Sequence, residues 1–220
     1  RGISPDKTDV ITNGVDTEMF DPAKVNEDIR KALGIDEAIF LIGYFGTTGM
    51  AHGLDTLLEA ARRCQENPKI MFLIMGDGAE KEALQEKSQA IGLTSIIFRD
   101  FVAHEKMPDY LAALDLFLVH LRPHPVFKTV IPSKIFEPMA MEVPLLCALE
   151  GEGARVVSEA DAGICIPPGE PGIMADTILR LSKERVALAQ MGKNGRQAAI
   201  EKRSEERRVG KECRSRGSRY

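Results

Sequence analysis

The chain contains 220 residues, of which 44% are hydrophobic and 28% are charged, a composition typical of a globular protein with a sizeable buried core. The longest apolar stretches are of strand length, so neither a membrane-spanning helix nor a secretory leader is expected. The 4 cysteines lie far apart without a C-x-x-C pair, which indicates reduced thiols in a cytoplasmic protein rather than a zinc site.

Residues 203–220 differ in composition from the rest of the chain. They hold 7 Lys or Arg and 3 Asp or Glu, and Val209 is their only aliphatic residue. A basic tail of this kind can bind nucleic acid or an anionic membrane. The string RSEERRVGKECRSR, however, resembles a translated sequencing adapter, so we predict that residues 203–220 are a non-native tail. The remaining residues are acidic overall, which predicts no nucleic-acid partner.

Residues 1–37 do not follow the pattern of the sequence after them. A short apolar run leads into the turn Asn13-Gly14, and polar sequence containing Pro22 follows. A chain that starts in this way is expected to begin in mid-protein. We therefore predict that residues 1–37 are an interdomain linker and the end of a missing N-terminal lobe.

From residue 38 onward, apolar runs of strand length alternate with segments of helical periodicity. This alternation predicts βαβ units and a parallel sheet covered by helices on both faces. The prediction is a doubly wound α/β domain at residues 38–202, which binds its ligands beyond the carboxyl ends of the strands. Strands are predicted at residues 38–45, 70–75, 95–98, 116–119, 144–148 and 163–166, and helices near residues 54–61, 79–91, 107–114, 155–160 and 174–181 and from Ser133 onward.

The loop after the first predicted strand reads GYFGTTG at residues 43–49. Glycines in this position let the backbone approach a phosphate, and the threonine hydroxyls can donate hydrogen bonds to it. A plain tight turn explains the glycines equally well. Because the spacing is G-x-x-G-x-x-G, neither the dinucleotide fingerprint nor the P-loop pattern is met.

Two other loops between a strand and a helix are also rich in glycine. Asp77, between Gly76 and Gly78, can face a ligand hydroxyl, although a simple turn is the alternative. The loop Gly151-Glu152-Gly153-Ala154 can direct backbone N–H groups at a ligand. Several such loops on one rim of one sheet are stronger evidence for a site than any of them alone.

The segment PSKIFE at residues 132–137 combines a helix start with two charged residues. Ser133 is expected to cap the helix. Lys134 then lies in the first turn, where the helix dipole disfavours a cation, which indicates a bound anion there. The carboxylate of Glu137 can accept hydrogen bonds from two hydroxyls of a diol such as ribose. A solvated Glu–Lys pair three residues apart is the alternative.

The histidines indicate neither a metal site nor a catalytic centre. His120 and His124 are four residues apart, but the prolines beside them interrupt any helix that would align them as ligands, so we expect both in surface loops. His52 and His104 are expected in a turn and a loop. No metal site is predicted, and no nucleophilic Ser or Cys lies in a recognisable motif.

Several segments between residues 10 and 202 resemble the family 4 glycosyltransferases. The run PSKIFEPMA at residues 132–140 is similar to one in their fucosamine-transferase-like branch. Other segments resemble the linker between the two lobes of these enzymes and three parts of the donor-binding lobe. They are NGVD with F-x-P at residues 13–22, GMAHGLDTLLEAA at residues 49–61, FLIMGDG at residues 72–78 and GICIPPG at residues 163–169.

The resemblance implies a GT-B architecture of two Rossmann-like lobes, of which this chain is the C-terminal, nucleotide-sugar-binding lobe. It also implies retaining transfer without an essential metal or cofactor. By position, Glu137 would hold the ribose, residues near Val102 the base, and the glycine loop with Ser133 and Lys134 the diphosphate. The substrate-binding residues carried over in this way are Gly46, Thr47, Thr48, Gly49, Gly76, Asp77, Val102, Thr129, Ser133, Lys134, Ile135 and Glu137.

Two features depart from the family pattern. The wider family has an E-x7-E pair, and the position eight residues before Glu137 is Thr129 in this chain. The first Glu commonly contacts the donor sugar, so the contact to the sugar is left open here. The glycine loop also lacks the Arg/Lys pair that many members use for the phosphates, and Lys134 is expected to compensate.

The sequence therefore predicts the donor lobe of a retaining glycosyltransferase, of hexosyl or N-acetylhexosaminyl type. It would transfer a sugar from a UDP-sugar to a glycan or lipid-linked acceptor in surface polysaccharide synthesis. No catalytic residue is assigned, because the acceptor lobe is absent, and the fragment alone is expected to be inactive. Peripheral contact with the inner membrane is expected only through the absent lobe. The alternatives are a stand-alone nucleotide-binding module and an NAD-dependent oxidoreductase.

Overall fold

The computed structural model describes residues 13–203, which form a six-stranded sheet flanked by α-helices. The strands are β1 (Phe40–Phe45), β2 (Ile70–Met75), β3 (Ile96–Arg99), β4 (Leu116–His120), β5 (Leu145–Ala148) and β6 (Gly163–Ile166). The helices are α1 (Ile29–Leu33), α2 (Asp55–Cys64), α3 (Lys81–Ala90), α4 (Met107–Ala112), α5 (Phe136–Ala140), α6 (Glu152–Glu159), α7 (Pro171–Leu181) and α8 (Arg185–Arg203). Short 3-10 turns at the carboxyl edge of the sheet are Met50–His52, His104–Lys106, Pro125–Thr129 and Ser133–Ile135.

The six strands are parallel and lie in the order β3-β2-β1-β4-β5-β6. This arrangement confirms the predicted doubly wound α/β fold, and each predicted strand is present within two residues of its expected bounds. The strand order reverses between β1 and β4. Ligands of such sheets bind in the crevice at that reversal, beyond the carboxyl ends of the strands.

The core consists of two apolar layers, one on each face of the sheet, because successive side chains of a strand point to opposite faces. In β1, the side chains of Phe40, Ile42 and Tyr44 enter the layer that α2 and α7 cover. Those of Leu41 and Phe45 enter the layer that α5 and α8 cover. All five are at most 5% exposed, and burial of each contributes about 2 kcal/mol. Burial on both faces explains why the strands read as continuous apolar runs.

Residues 13–37, predicted as part of an interdomain linker, pack against the sheet domain. Phe20 and Ile29 are 1% and 3% exposed and belong to the core layer that α5 and α8 cover. The guanidinium of Arg30 donates to the Asp115 carboxylate over 2.5 Å. The predicted boundary after residue 37 therefore does not coincide with a gap in the packing.

The helix α8 has no counterpart among the predicted elements, which end with α7. It crosses α5 closely, and Gly192 permits this approach because a Cβ there would lie 2.0 Å from the Glu142 carbonyl oxygen. Arg196 joins the two helices to the N-terminal segment by donating to the carbonyls of Phe20 and Ala140 over 3.2 and 2.5 Å. Glycines inside a helical segment weaken the sequence pattern that predicts a helix, which explains why α8 is not among the predicted elements.

Two predictions lie at least partly outside the described residues. The apolar run at residues 10–12 and the tail at residues 204–220 are not described, while α8 continues through Arg203. The non-native origin of residues 203–220 stays a prediction. Within residues 13–203, no helix combines the length and the apolar character needed to cross a bilayer.

The loops after β1 and β2 are in direct backbone contact at Gly76. Its φ is +155°, and a Cβ added there would lie 1.9 Å from the Gly46 carbonyl oxygen. We expect Gly76→Ala to lower the free energy of unfolding by more than about 3 kcal/mol, because backbone strain and steric overlap both contribute. Urea denaturation monitored by circular dichroism measures this loss.

Gly92 provides the control for this substitution. Its φ is +69°, but a Cβ there would meet nothing within 4 Å. We expect Gly92→Ala to lower the free energy of unfolding by about 1 kcal/mol, the cost of the left-handed backbone alone. Equal losses for Gly76→Ala and Gly92→Ala would contradict the close contact between the two loops.

Candidate functional site

A cavity of about 540 Å³ opens at the carboxyl edge of the sheet, where the strand order reverses. Its wall is formed by the end of β1 with its loop, by the segment from β3 through α4, and by the turns between β4 and α5. Apolar side chains form most of this wall. The polar or charged side chains that line it belong to Thr47, His52, His104, Ser133, Lys134 and Glu137.

The glycine loop after β1 is held against the loop after β2 by backbone hydrogen bonds. Gly46 donates to the Met75 carbonyl and Thr48 donates to the Asp77 carbonyl, each over 2.9 Å. Gly46 also lines the cavity, whereas Thr48, Gly76 and Asp77 do not. Thr48 and Gly76 are buried behind the loop, whereas Asp77 is exposed outside this cavity.

The two threonines of the loop have different environments. Thr47 is exposed and lines the cavity. Thr48 is 1% exposed, and its Oγ1 has no hydrogen-bond partner in the part of the chain that the structure describes. Gly49 precedes the turn Met50–His52 and does not line the cavity. Of the glycine loop, therefore, only Phe45, Gly46 and Thr47 face the cavity.

Lys134 reaches from the other side of the cavity to the underside of the glycine loop. Its Nζ donates to the Tyr44 hydroxyl over 3.0 Å and lies 4.3 Å from the centre of the Tyr44 ring. The Tyr44 hydroxyl in turn donates to the Thr47 carbonyl over 2.8 Å. A Cβ on Gly46 would lie 2.7 Å from Lys134 Nζ, so the glycine leaves room for the ammonium group.

The charge of Lys134 is not neutralised within the domain. No carboxylate lies within 4.0 Å of its Nζ among residues 13–203. Burial lowers its pKa from 10.5 to about 8 because the charged form loses water. The backbone N–H groups of Thr47 and Ser133, which also line the cavity, have no acceptor within the described residues. The arrangement therefore offers several hydrogen-bond donors and one cation to an anion.

The prediction that Ser133 caps a helix is wrong. The segment starts with the 3-10 turn Ser133–Ile135, and only then continues as α5. The residues at the two cap positions are Pro132 and Ile135, and neither cap has a side-chain hydrogen bond. Ser133 therefore does not cap a helix, and its side chain is exposed in the cavity wall.

Glu137 lies in the first turn of α5, and its side chain is 36% exposed. Its Oε1 accepts a hydrogen bond from His104 Nε2 over 3.2 Å. The neighbouring Met139 and Ala140 are buried, as the sequence predicts. Glu137 therefore presents a carboxylate to the same cavity as Lys134.

Three further predicted site residues, beyond those of the glycine loops, do not present side chains to the cavity. Ile135 is fully buried, and Val102 is half-buried against the core. The Thr129 hydroxyl donates to the Val126 carbonyl over 3.0 Å and does not line the cavity. The wall in this region is formed instead by apolar side chains, those of Phe127 and Val130.

Sequence reasoning missed some residues of the wall, above all Phe101, His104 and Phe127. Phe101 and His104 lie between β3 and α4, where no glycine or charge pattern marks a site. The sequence predicts His104 in a loop, whereas it begins the 3-10 turn His104–Lys106. Nothing in the sequence relates it to the Glu137 carboxylate, 33 positions away. Phe101, His104 and Phe127 come together only in the folded protein, at the carboxyl edge of the sheet, so no local sequence pattern marks them.

The loop Gly151–Ala154 does not direct N–H groups into the cavity, contrary to the expectation from its glycines. A Cβ on Gly151 would lie 1.9 Å from the Lys128 carbonyl oxygen, and one on Gly153 would lie 3.2 Å from the Val130 carbonyl oxygen. The turn between β4 and α5 thus covers this loop. Its glycines permit backbone packing rather than ligand contact.

His120 is at the end of β4 and 1% exposed, so the prediction of a surface loop is wrong for this residue. Its Nδ1 donates to the His52 carbonyl over 2.5 Å, and its Nε2 accepts from the Gly169 N–H over 3.2 Å. Proline-rich neighbours suggested a loop, but His120 itself still belongs to the strand. In the described part of the chain, no three His, Cys, Asp or Glu residues are grouped as metal ligands.

Residues 25–198 match the family described as Glycosyl transferases group 1. Because this match covers most of the chain, the protein belongs to that family. Its sheet and helices form the Rossmann-like lobe of the GT-B glycosyltransferases, as predicted. The membership argues against the NAD-dependent oxidoreductase alternative.

Three proteins show how similar this chain is to known glycosyltransferases. The lipopolysaccharide core biosynthesis mannosyltransferase LpsB of Rhizobium meliloti is 28% identical over 195 residues, which cover 84% of this chain and 54% of LpsB. The C-terminal domain of LpcC, a glycosyl transferase group 1 family protein from Francisella tularensis, has a TM-score of 0.71 at 23% identity, covering 87% of this chain and 100% of that domain. Anabaena Alr3699/HepE, solved with UDP and glucose, has a TM-score of 0.80 at 22% identity, covering 99% of this chain and 58% of HepE. The chain spans 27% to 54% of the length of the curated relatives that it matches.

The lowered pKa of Lys134 predicts a specific pH dependence of stability. Between about pH 8 and 10.5 the folded protein holds a neutral amine, while the unfolded chain still binds the proton. The unfolded state therefore binds more protons in this range, and the free energy of unfolding gains up to about 1.4 kcal/mol per pH unit from this group. Below pH 8 both states carry the charge and the contribution to the slope vanishes.

The measurement is urea denaturation at several pH values from 7 to 10, on the wild type and on Lys134→Met. We expect the wild-type free energy of unfolding to rise relative to that of the variant above pH 8, because only the wild type loses the buried charge. Parallel pH profiles would contradict the burial of an unpaired ammonium group at this position.

Proposed function

We propose that this domain binds the nucleotide-sugar donor of a retaining glycosyltransferase, with a UDP-sugar as the donor. The observation that carries the proposal is the buried ammonium group of Lys134, which lines the cavity without a carboxylate partner among the described residues. Glu137 faces the same cavity from the turn that follows. A cation and a carboxylate in this arrangement suit a ligand that carries both a diphosphate and a diol.

The diphosphate is proposed to lie between the first half of the glycine loop and the start of the turn at residues 133–135. Lys134 supplies the charge, and the N–H groups of Thr47 and Ser133 supply hydrogen bonds. When the bond to the sugar breaks, negative charge builds up on the departing diphosphate. Donors that the fold already holds in position stabilise that charge without having to reorganise.

The other predicted residues of the two glycine loops support these donors. Thr48 and Asp77 join the loops through a backbone hydrogen bond, and Gly76 packs directly on Gly46. Gly49 begins the 3-10 turn that leads towards α2. We propose that their contribution to diphosphate binding is the fixed geometry of the loop.

The nucleoside is proposed to lie towards α4 and α5. Glu137 would accept hydrogen bonds from the ribose hydroxyls, and Ile135 would contribute only backbone groups, because its side chain is fully buried. Phe101 and Met107 offer apolar surface beside a flat base, with backbone groups near Val102 as its hydrogen-bond partners.

The sugar is proposed to lie near the turn Pro125–Thr129. In this region the cavity wall is apolar, with Phe127 and Val130 in place of a charged side chain. We propose a donor of hexosyl or N-acetylhexosaminyl type, and an enzyme of the fucosamine-transferase-like branch, as the resemblance at residues 132–140 implies. Thr129 would contact the sugar through its backbone.

The complete reaction is proposed for a two-lobed protein in which this domain forms the donor side and residues 13–37 lead to the other lobe. In this proposal, transfer is retaining, needs no metal or cofactor, and does not proceed with the donor lobe alone. HepE, whose fold is similar, has been solved in complexes with UDP and with UDP-glucose. LpsB, a sequence relative, is named for lipopolysaccharide core biosynthesis, which supports a surface polysaccharide or lipid-linked acceptor. The reaction would take place in the cytoplasm, peripheral to the inner membrane through the acceptor lobe.

Calorimetric titration of the chain with UDP, GDP, ADP and NAD tests donor binding. We expect UDP to bind, and Glu137→Ala to weaken its affinity by roughly 10- to 100-fold, because hydrogen bonds to a carboxylate from the ribose are lost. Lys134→Met is expected to lower the affinity for UDP by at least as much. It is expected to leave the affinity for uridine, which has no phosphate, unchanged.

Two matched control variants come from the exposed surface. Glu159→Ala removes a carboxylate on α6, and Lys69→Met removes an ammonium group just before β2, both away from the cavity. Neither is expected to change UDP affinity. Preferential binding of NAD, or the absence of binding to any of the four nucleotides, would overturn the proposal in favour of a different ligand or a scaffold role.

A further inference from the structure

His104 and Glu137 meet at the mouth of the cavity although they come from different elements. His104 starts the 3-10 turn that leads into α4, and Glu137 lies on α5. Their side chains are joined by a hydrogen bond of 3.2 Å between Nε2 and Oε1. Both side chains line the cavity, so a ligand in it would lie against both.

The direction of this hydrogen bond determines what Glu137 can still do. An ionised carboxylate only accepts hydrogen bonds, so His104 Nε2 must carry the proton. One lone pair of Glu137 Oε1 then accepts from His104, while both lone pairs of Oε2 can accept from other donors. A half-exposed Glu side chain otherwise samples several rotamers, and fixing it on binding reduces affinity. A hydrogen bond already present in the empty site removes part of that loss.

His104 is itself positioned by a residue of the N-terminal segment. Its ring packs edge-to-face on Phe20, with 5.3 Å between the ring centres. Phe20 is 1% exposed, and its carbonyl accepts a hydrogen bond from Arg196 of α8. The imidazole is 58% exposed, so this contact and the Glu137 hydrogen bond are what orient it.

We propose that His104 is a positioning residue that orients Glu137 for the ribose, and that Phe20 makes this orientation depend on the segment at residues 13–37. This inference rests on the proposed function, because it assigns the ribose contact to Glu137. His104 acts through the carboxylate and does not contact the reacting atoms. Through the contact between His104 and Phe20, the placement of the N-terminal segment is coupled to nucleotide affinity.

The test compares UDP with 2′,3′-dideoxy-UDP, which lacks the diol, by calorimetric titration of the full chain. In the wild type, UDP is expected to bind more tightly than the dideoxy analogue. His104→Ala is expected to reduce this preference roughly three- to tenfold and to leave the affinity for the dideoxy analogue unchanged. This is less than the full value of a hydrogen bond to a charged group, because His104 only orients the carboxylate that makes the ribose contact. His104→Gln, which keeps an N–H donor in a similar place, is expected to restore most of the preference.

Two further variants separate positioning from general damage to the fold. Glu105→Ala, in the same 3-10 turn and exposed, is expected to leave the preference for UDP unchanged. Phe20→Leu keeps a large apolar side chain but removes the ring under His104, and is expected to reduce the preference less than His104→Ala does. Thermal melting curves of all variants identify any that are unfolded.

The outcomes distinguish this inference from the proposed function. If the wild type binds neither UDP nor its dideoxy analogue, the proposed function fails. If the wild type prefers UDP but His104→Ala, while folded, keeps the full preference, the positioning role is overturned. The role is equally overturned if His104→Ala lowers the affinities for UDP and for the dideoxy analogue by the same factor. That pattern indicates loss of structure rather than loss of the ribose contact.

Discussion

The carboxyl edge of this domain depends on one buried ammonium group, which no carboxylate neutralises within residues 13–203. Lys134 can reach the Tyr44 hydroxyl only because Gly46 has no side chain, and the Tyr44 hydroxyl in turn holds the Thr47 carbonyl. The conformation of the glycine loop and the position of the charge are therefore set together. Burial of this charge lowers stability, and an anion bound beside it would offset that loss.

The arrangement of strands explains how so few residues form this site. Because the strand order reverses between β1 and β4, the loops after these strands diverge and leave a crevice. The turn before α5 crosses that crevice and brings Lys134 under the β1 loop, while Glu137 follows one turn later. A single short segment thus supplies both the cation and the carboxylate, and α8 holds it from behind.

The sheet could be predicted from sequence because strands buried on both faces read as uninterrupted apolar runs, as Ile70–Met75 does. The helix α8 could not, because Gly192 is favoured by its contact with the Glu142 backbone just after α5, and no local sequence pattern shows that contact. In the site, Lys134 was conspicuous as a cation where a helix starts. The environment of Thr48 and the partner of His104 depend on loops that meet only in the folded protein, so no local pattern could show them.

The buried ring of His120 has a consequence for the loops that it joins. It donates from Nδ1 to His52 and accepts at Nε2 from Gly169, which only one neutral tautomer can do. Burial lowers its pKa below 6.5, which keeps the ring neutral near pH 7. A proton on Nε2 would set two donors against each other, so stability falls as the pH drops below about 6.5. Acid therefore weakens the hydrogen bond that ties the loop after β6 to the end of β4, whereas the apolar side chains of the sheet beneath it do not titrate.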